Sequence, residues 1–116
     1  MVFRFEKLNV WRKAIDLYKK VNAISENFPR SEEYALKAQL LRAALSIPTN
    51  IAEATGGETK KDRTYFLTVA RGSAFETASL LITAVEMDYI SAERNCLLDD
   101  IEEIAKMING LIKVQK

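Results

Sequence analysis

Pro48 stands inside a run of apolar residues at helical spacing, and no other feature limits the possible folds as tightly. Ala44, Ile47, Ile51 and Ala54 recur at intervals of three and four, so they share one helical face. Proline has no N–H, so the Ala44 carbonyl loses its usual partner and is crowded by the ring, at a cost of about 3 kcal/mol in a helix interior. The chain must bend there or break. The apolar spacing keeps its phase on both sides, which predicts one helix kinked at Pro48. Ser46 and Thr49 can bond back to nearby carbonyls, as often happens at a bend. Gly56-Gly57 is expected to give that helix a left-handed stop.

The flanking sequence reads as three more helices. The first is predicted from about Leu8 to Glu26, ended by Phe28-Pro29. It carries two adjacent stripes: Leu8, Trp11, Ile15 and Tyr18, and beside them Val10, Ala14, Leu17, Val21 and Ile24. That arc is wider than one core face needs, so the helix is either deeply packed or also covered by a neighbouring subunit. Ser31 is expected to cap the second helix, with Glu32 and Glu33 in its first turn and Tyr34, Leu36, Leu40, Ala44, Ile47 and Ile51 along its face.

The third helix is predicted to start at Thr59 or Lys60 and reach about Met87. Its core face is read as Phe66, Val69, Ala70, Ser73, Leu80, Leu81 and Ala84, with Leu67, Ala74, Ala78, Ile82 and Val85 as a second stripe. Gly72 in its interior suggests close approach of another backbone, the kinked helix being the nearest candidate. Asp88-Tyr89-Ile90 is the turn. Ser91 is expected to cap the fourth helix, with Glu93 in its first turn and a stripe of Leu97, Ile101, Ile104, Ile108 and Leu111.

Helices of roughly 20 to 28 residues with connections of about three to five give an all-α protein, an antiparallel up-down-up-down four-helix bundle. Residues 1–116 form one domain. A chain of this length buries roughly 65% of its unfolded surface, enough for one ordinary core.

Composition removes several chemistries. Histidine is absent, so Glu-x-x-His di-iron pairs and histidine-activated nucleophiles are excluded. Cys96 is the only cysteine, which excludes an intrachain disulfide and a zinc thiolate site and suits a reducing cytoplasm. No metal or cofactor is expected, and no enzymatic activity. The first residues contain no long apolar region, so no signal peptide is expected, and no run reaches the roughly 20 apolar residues of a membrane helix. Gly56-Gly57 before Lys60 and Lys61 lacks the spacing and the preceding strand of a phosphate loop.

Two polar groupings stand out. Arg42, Ser46, Asn50 and Glu53 form a second face of the kinked helix, which Glu76 and Arg71 of the third helix can meet. They make either a buried structural network, with Arg42 paired to a carboxylate, or a site for a ligand or partner. Lys60, Lys61 and Arg63, with Arg4, Lys7, Arg12 and Lys13, are either a phosphate-contacting patch or solvated helix faces. Net charge is +1, unevenly spread: residues 1–20 hold six basic and two acidic side chains, residues 76–105 one basic and eight acidic. Such segments form opposed surfaces or pair off between neighbouring helices.

Phe5-Glu6-Lys7-Leu8-Asn9-Val10-Trp11-Arg12-Lys13-Ala14 and Arg42-Ala43-Ala44-Leu45-Ser46-Ile47-Pro48-Thr49-Asn50-Ile51-Ala52-Glu53 resemble the bacterial four-helix bundles encoded in intervening sequences of 23S ribosomal RNA genes. Gly72-Ser73, Glu76 and Met107-Ile108-Asn109-Gly110-Leu111-Ile112 are similar too, so the likeness spans nearly the whole chain. It implies a small homopentamer without catalysis. A related accessory protein of diversity-generating retroelements, a basic pentamer, engages reverse transcriptase and nucleic acid. The resemblance therefore implies RNA or a nucleic-acid-associated protein as partner, for which Lys60, Lys61, Arg63, Arg12 and Lys13 of the basic grouping are the candidate contacts. The sequence departs from the family at Ala54, where glycine is usual, and in its near-neutral charge. The alternative is an adaptor that binds basic proteins through its acidic 76–105 region.

Overall fold

The computed structural model describes residues 2–92 and 96–115. It contains four α-helices: α1 Asn9–Ser25, α2 Leu36–Thr55, α3 Lys60–Glu86 and α4 Cys96–Lys113. Short 3-10 turns, Arg4–Lys7 and Arg30–Glu32, precede α1 and α2, and no strand occurs among the described residues. Each helix packs on the next and α4 closes onto α1, so the four stand around a square.

Cross-helix pairs give the directions. Lys13 meets Glu103 and Lys20 meets Asp100. Gln39 meets Glu76 and Ser46 meets Ser73. Arg63 meets Gln115 and Arg71 meets Asn109. In every case numbers rise along one helix as they fall along its neighbour, so the bundle runs up-down-up-down.

The core draws on all four helices. The α1 stripe Val10, Ala14, Leu17, Val21 and Ile24 is buried, and the adjacent Leu8, Trp11 and Tyr18 are only partly covered. From α2 come Leu40, Ala44, Ile47, Ile51 and Ala54, and from α4 Leu97, Ile101, Ile104 and Ile108. On α3 the buried line is Leu67, Ala70, Ala74, Thr77, Leu81 and Ala84, alternating steps of three and four. Thr77 sits in that line without penalty, because its hydroxyl donates to the Ser73 carbonyl at 2.7 Å. The polar residue hides the true face from a reading by hydropathy. Phe66 and Leu80, expected in the core, pack on its margin.

Helix α2 passes through Pro48 unbroken, with the ring fully buried. Thr49 Oγ1 donates to the Leu45 carbonyl and Asn50 Nδ2 to the Ser46 carbonyl, both at 2.9 Å. These bonds hold the turn that proline weakens. Ser46 does not back-bond as expected; its hydroxyl turns to Ser73.

The start of α2 and the geometry of its stop differ from expectation, while the stop itself falls at Gly56 as expected. Pro29 directs the chain into a 3-10 turn, so the helix begins at Leu36 and Ser31 caps nothing. Glu32 acts instead: one carboxylate oxygen accepts from the Leu36 N–H at 3.3 Å, the other from the Tyr89 hydroxyl at 2.7 Å. That second bond, above all, raises the Tyr89 phenol above its ordinary pKa. Tyr34, expected on the core stripe, is 94% exposed.

No glycine has a positive φ, so Gly56-Gly57 is not a left-handed stop. Gly57 serves close approach. A Cβ there would lie 3.1 Å from the Arg63 amide nitrogen and 3.3 Å from the Ala54 carbonyl oxygen, whereas at Gly56 the nearest atom is 3.6 Å away. Gly57→Ala will therefore destabilise the fold by about 1–3 kcal/mol, and Gly56→Ala will change it by about 0.5 kcal/mol or less. Urea unfolding of the two variants checks this. Gly72 likewise does not serve the contact expected of it: a Cβ there meets nothing within 4 Å.

Helix α3 ends in a Schellman turn. Asp88, at φ 60°, takes the left-handed position, and the Tyr89 and Asp88 amides donate to the Ala84 and Val85 carbonyls. Glu93, expected in the first turn of α4, lies outside the described residues.

Candidate functional site

Two surface hollows involve the residues singled out in the sequence, on adjacent faces of the square. The first is a polar slot of about 480 Å³ between α2 and α3, lined by Gln39, Arg42, Ala43, Ser46, Ser73 and Glu76. The Ser46 and Ser73 hydroxyls join at 2.7 Å, and Asn50 Nδ2 donates to Ser46 Oγ at 2.9 Å. Gln39 Nε2 donates to Glu76 at 3.3 Å. Arg42 is exposed and has no ion pair among the described residues, so the carboxylate expected to neutralise it is not engaged.

The slot thus gathers Arg42, Ser46 and Glu76, with Asn50 as a brace. Gln39 and Ser73 complete it and were missed. Gln39 lies three residues before Arg42 and so continues the stripe, a spacing visible in the sequence. Arg71 turns the other way and donates to Asn109 of α4 at 2.7 Å. Glu53 leaves the set as well. In the antiparallel register its level on α3 is occupied by Phe66, which packs edge-on against Tyr65 and offers no polar partner.

Glu53 lines the second hollow, an open groove of about 900 Å³. Its apolar walls are Trp11 and Ile15 of α1, Leu45 of α2 and Phe66 of α3, with the buried Pro48 beneath them. The N-terminal arm closes one end. Phe3 stacks on Phe5, which packs against Trp11 with ring centroids 5.1 Å apart. Glu6 holds the arm in place by accepting from the Phe3 amide at 2.9 Å and the Val2 amide at 3.1 Å.

The Phe3 amide bond is the main reason the Glu6 carboxyl lies below its ordinary value of 4.5. A lowered folded pKa stabilises the arm above pH 4.5 and loses that contribution as pH falls through the lowered value. Trp11, the one tryptophan, reports it: its emission will shift to the red as pH falls through that lowered value, and Glu6→Gln will show the shift at neutral pH.

The basic residues do not form one patch. Arg12 lies over the Trp11 ring at 5.1 Å, and Lys13 pairs with Glu103 at 3.2 Å. Arg63 donates to Gln115 and to the Gly57 and Glu58 carbonyls, fastening the α2–α3 turn to the end of α4. Lys60 and Lys61 are exposed at the start of α3, with no ion pair among the described residues. The acidic stretch partly pairs off between neighbours, since Asp100 and Glu103 hold Lys20 and Lys13.

Among the described residues no three potential metal ligands gather, and no helix is long and apolar enough to cross a membrane.

The family described as 23S rRNA-intervening sequence protein matches residues 6–110, which include most of both hollows and all four helices up to Gly110. The chain belongs to this family. A crystal structure of a protein of unknown function from the S23 ribosomal protein family of Bacteroides thetaiotaomicron is similar, with TM-score 0.83 and 26% identity over 90% of this chain and 99% of that one. No curated protein matches. In this chain the aromatic arm Phe3–Phe5 lies outside the family match, whereas Glu6, which holds it, lies inside.

Proposed function

We propose that this chain is a non-enzymatic, self-associating bundle of the cytoplasm, closing into a homopentamer that docks RNA or a ribonucleoprotein. The observation that carries this is the α1–α2 groove. Trp11, Ile15 and Leu45 form an apolar hollow that the chain does not fill, with Leu45 45% exposed. A contiguous apolar hollow of this kind on a water-soluble surface marks an interaction site. The groove also takes in Trp11 and Ile15, the middle of the second α1 stripe.

RNA contact falls to Lys60 and Lys61, because Lys13 and Arg63 are engaged within the bundle. Two lysines bind phosphate weakly, but a ring repeats them and adds avidity without new contacts. The adaptor reading has less support, since Asp100, Glu102 and Glu103 already hold lysines.

The test is a gel shift with structured RNA. Native protein will shift it at low salt and release it steeply as salt rises. Lys60→Glu with Lys61→Glu will abolish the shift and leave the oligomeric mass unchanged. A double variant that still binds with the native salt dependence contradicts the RNA assignment.

A further inference from the structure

A ring of five copies is built from heterologous contacts and so requires two surfaces on each chain, and the groove is only one of them. The second lies on the outward side of α3. Between Tyr65 and Ile82 that helix has two charged residues, and both turn onto neighbours: Arg71 to Asn109, Glu76 to Gln39. The outward side of α4, by contrast, carries Asp99, Glu102, Glu103 and Lys106. In place of charge, α3 presents Tyr65 and Phe75, each 62% exposed, and Ile82, 48% exposed. Phe75 and Ile82 are seven residues apart and so share one face. Gly72, between Tyr65 and Phe75, opens onto empty space.

Such a face is wrong for a polyanion, which needs cations. It is right for an apolar hollow. At 150–250 Å² for a large side chain, the three exposed groups offer roughly 300 Å². That is more than a third of the about 800 Å² per partner that a stable interface buries, before the small residues between them are counted. Two aromatic knobs on a convex helix have no hollow to enter on a second α3. They have one in the α1–α2 groove of another copy.

We infer that the outward face of α3, through Tyr65, Phe75 and Ile82, seats in the α1–α2 groove of a second copy of this chain. This rests on the self-association proposed above and adds which face meets which. The contact is heterologous, head to tail, so it propagates until the ring closes.

A complementation experiment tests it. Phe75→Asp disables the α3 face and Leu45→Asp disables the groove; both positions are exposed, and circular dichroism checks that each variant keeps its helices. Each alone will sediment as a single chain, and Ile82→Asp will behave as Phe75→Asp does. Mixed in equal amounts, Phe75→Asp and Leu45→Asp will form a species of two chains and stop there, because only one intact pairing remains. If Phe75→Asp and Ile82→Asp keep the native mass while Leu45→Asp is monomeric, the groove has another occupant and this inference fails alone. If the mixture stays monomeric it fails as well. If the native chain is itself monomeric, self-association fails with it.

Discussion

Replacing Ile47 by alanine will lower the unfolding free energy by about 3–4 kcal/mol. Ile47 is fully buried on α2, one residue before Pro48. The substitution removes buried methyl and methylene groups, and the hollow left behind cannot collapse freely because helices close on both sides of α2. Against a total stability of roughly 6–17 kcal/mol for a chain of this length, that is a large fraction. The melting temperature will fall by roughly 12 °C. Tyr34 is the comparison. Hydropathy places it on the same stripe, but it is 94% exposed, so Tyr34→Ala will cost about 0.5 kcal/mol or less. Equal effects of the two substitutions would place Tyr34 in the core beside Ile47, contrary to its exposure.

Leu45→Asp will weaken self-association by about 100-fold or more and leave the folded bundle nearly as stable as before. The two effects separate because Leu45 lines the groove and is 45% exposed. In the lone bundle an aspartate there stays in water. In an assembly that covers the groove, it must be buried beside apolar side chains without a partner, at a cost of several kcal/mol. Light scattering across a dilution series measures the first effect and urea unfolding the second.

Much of this arrangement is legible in the sequence wherever one signal acts alone. The Val10 to Ile24 stripe is apolar, uninterrupted and buried throughout. The phase kept across Pro48 is the phase of one unbroken helix. Readings fail where a second local force competes. Ser31 has the chemistry of a cap, but Pro29 sends the chain into a 3-10 turn and the longer Glu32 reaches Leu36 first. The core line of α3 passes through Thr77, a polar residue satisfied by its own helix. Helix α2 does stop at the Gly56-Gly57 pair, but without a left-handed residue, and Gly57 serves its close approach to Arg63 across the turn, which no local rule sees. The polar stripe of α2 reads as one set, and the residues opposite it on α3 divide it: Ser73 and Glu76 complete a slot around Ser46 and Arg42, while Phe66 leaves Glu53 facing the groove.

That groove is the centre of the functional account, and the mass of the native chain in solution tests it most directly. Sedimentation equilibrium at micromolar concentration will give several times the 13.1 kDa of one chain, with five chains as the closed assembly. A mass of 13.1 kDa at every concentration would mean that Trp11, Ile15 and Leu45 face water as they stand, and the account would be wrong.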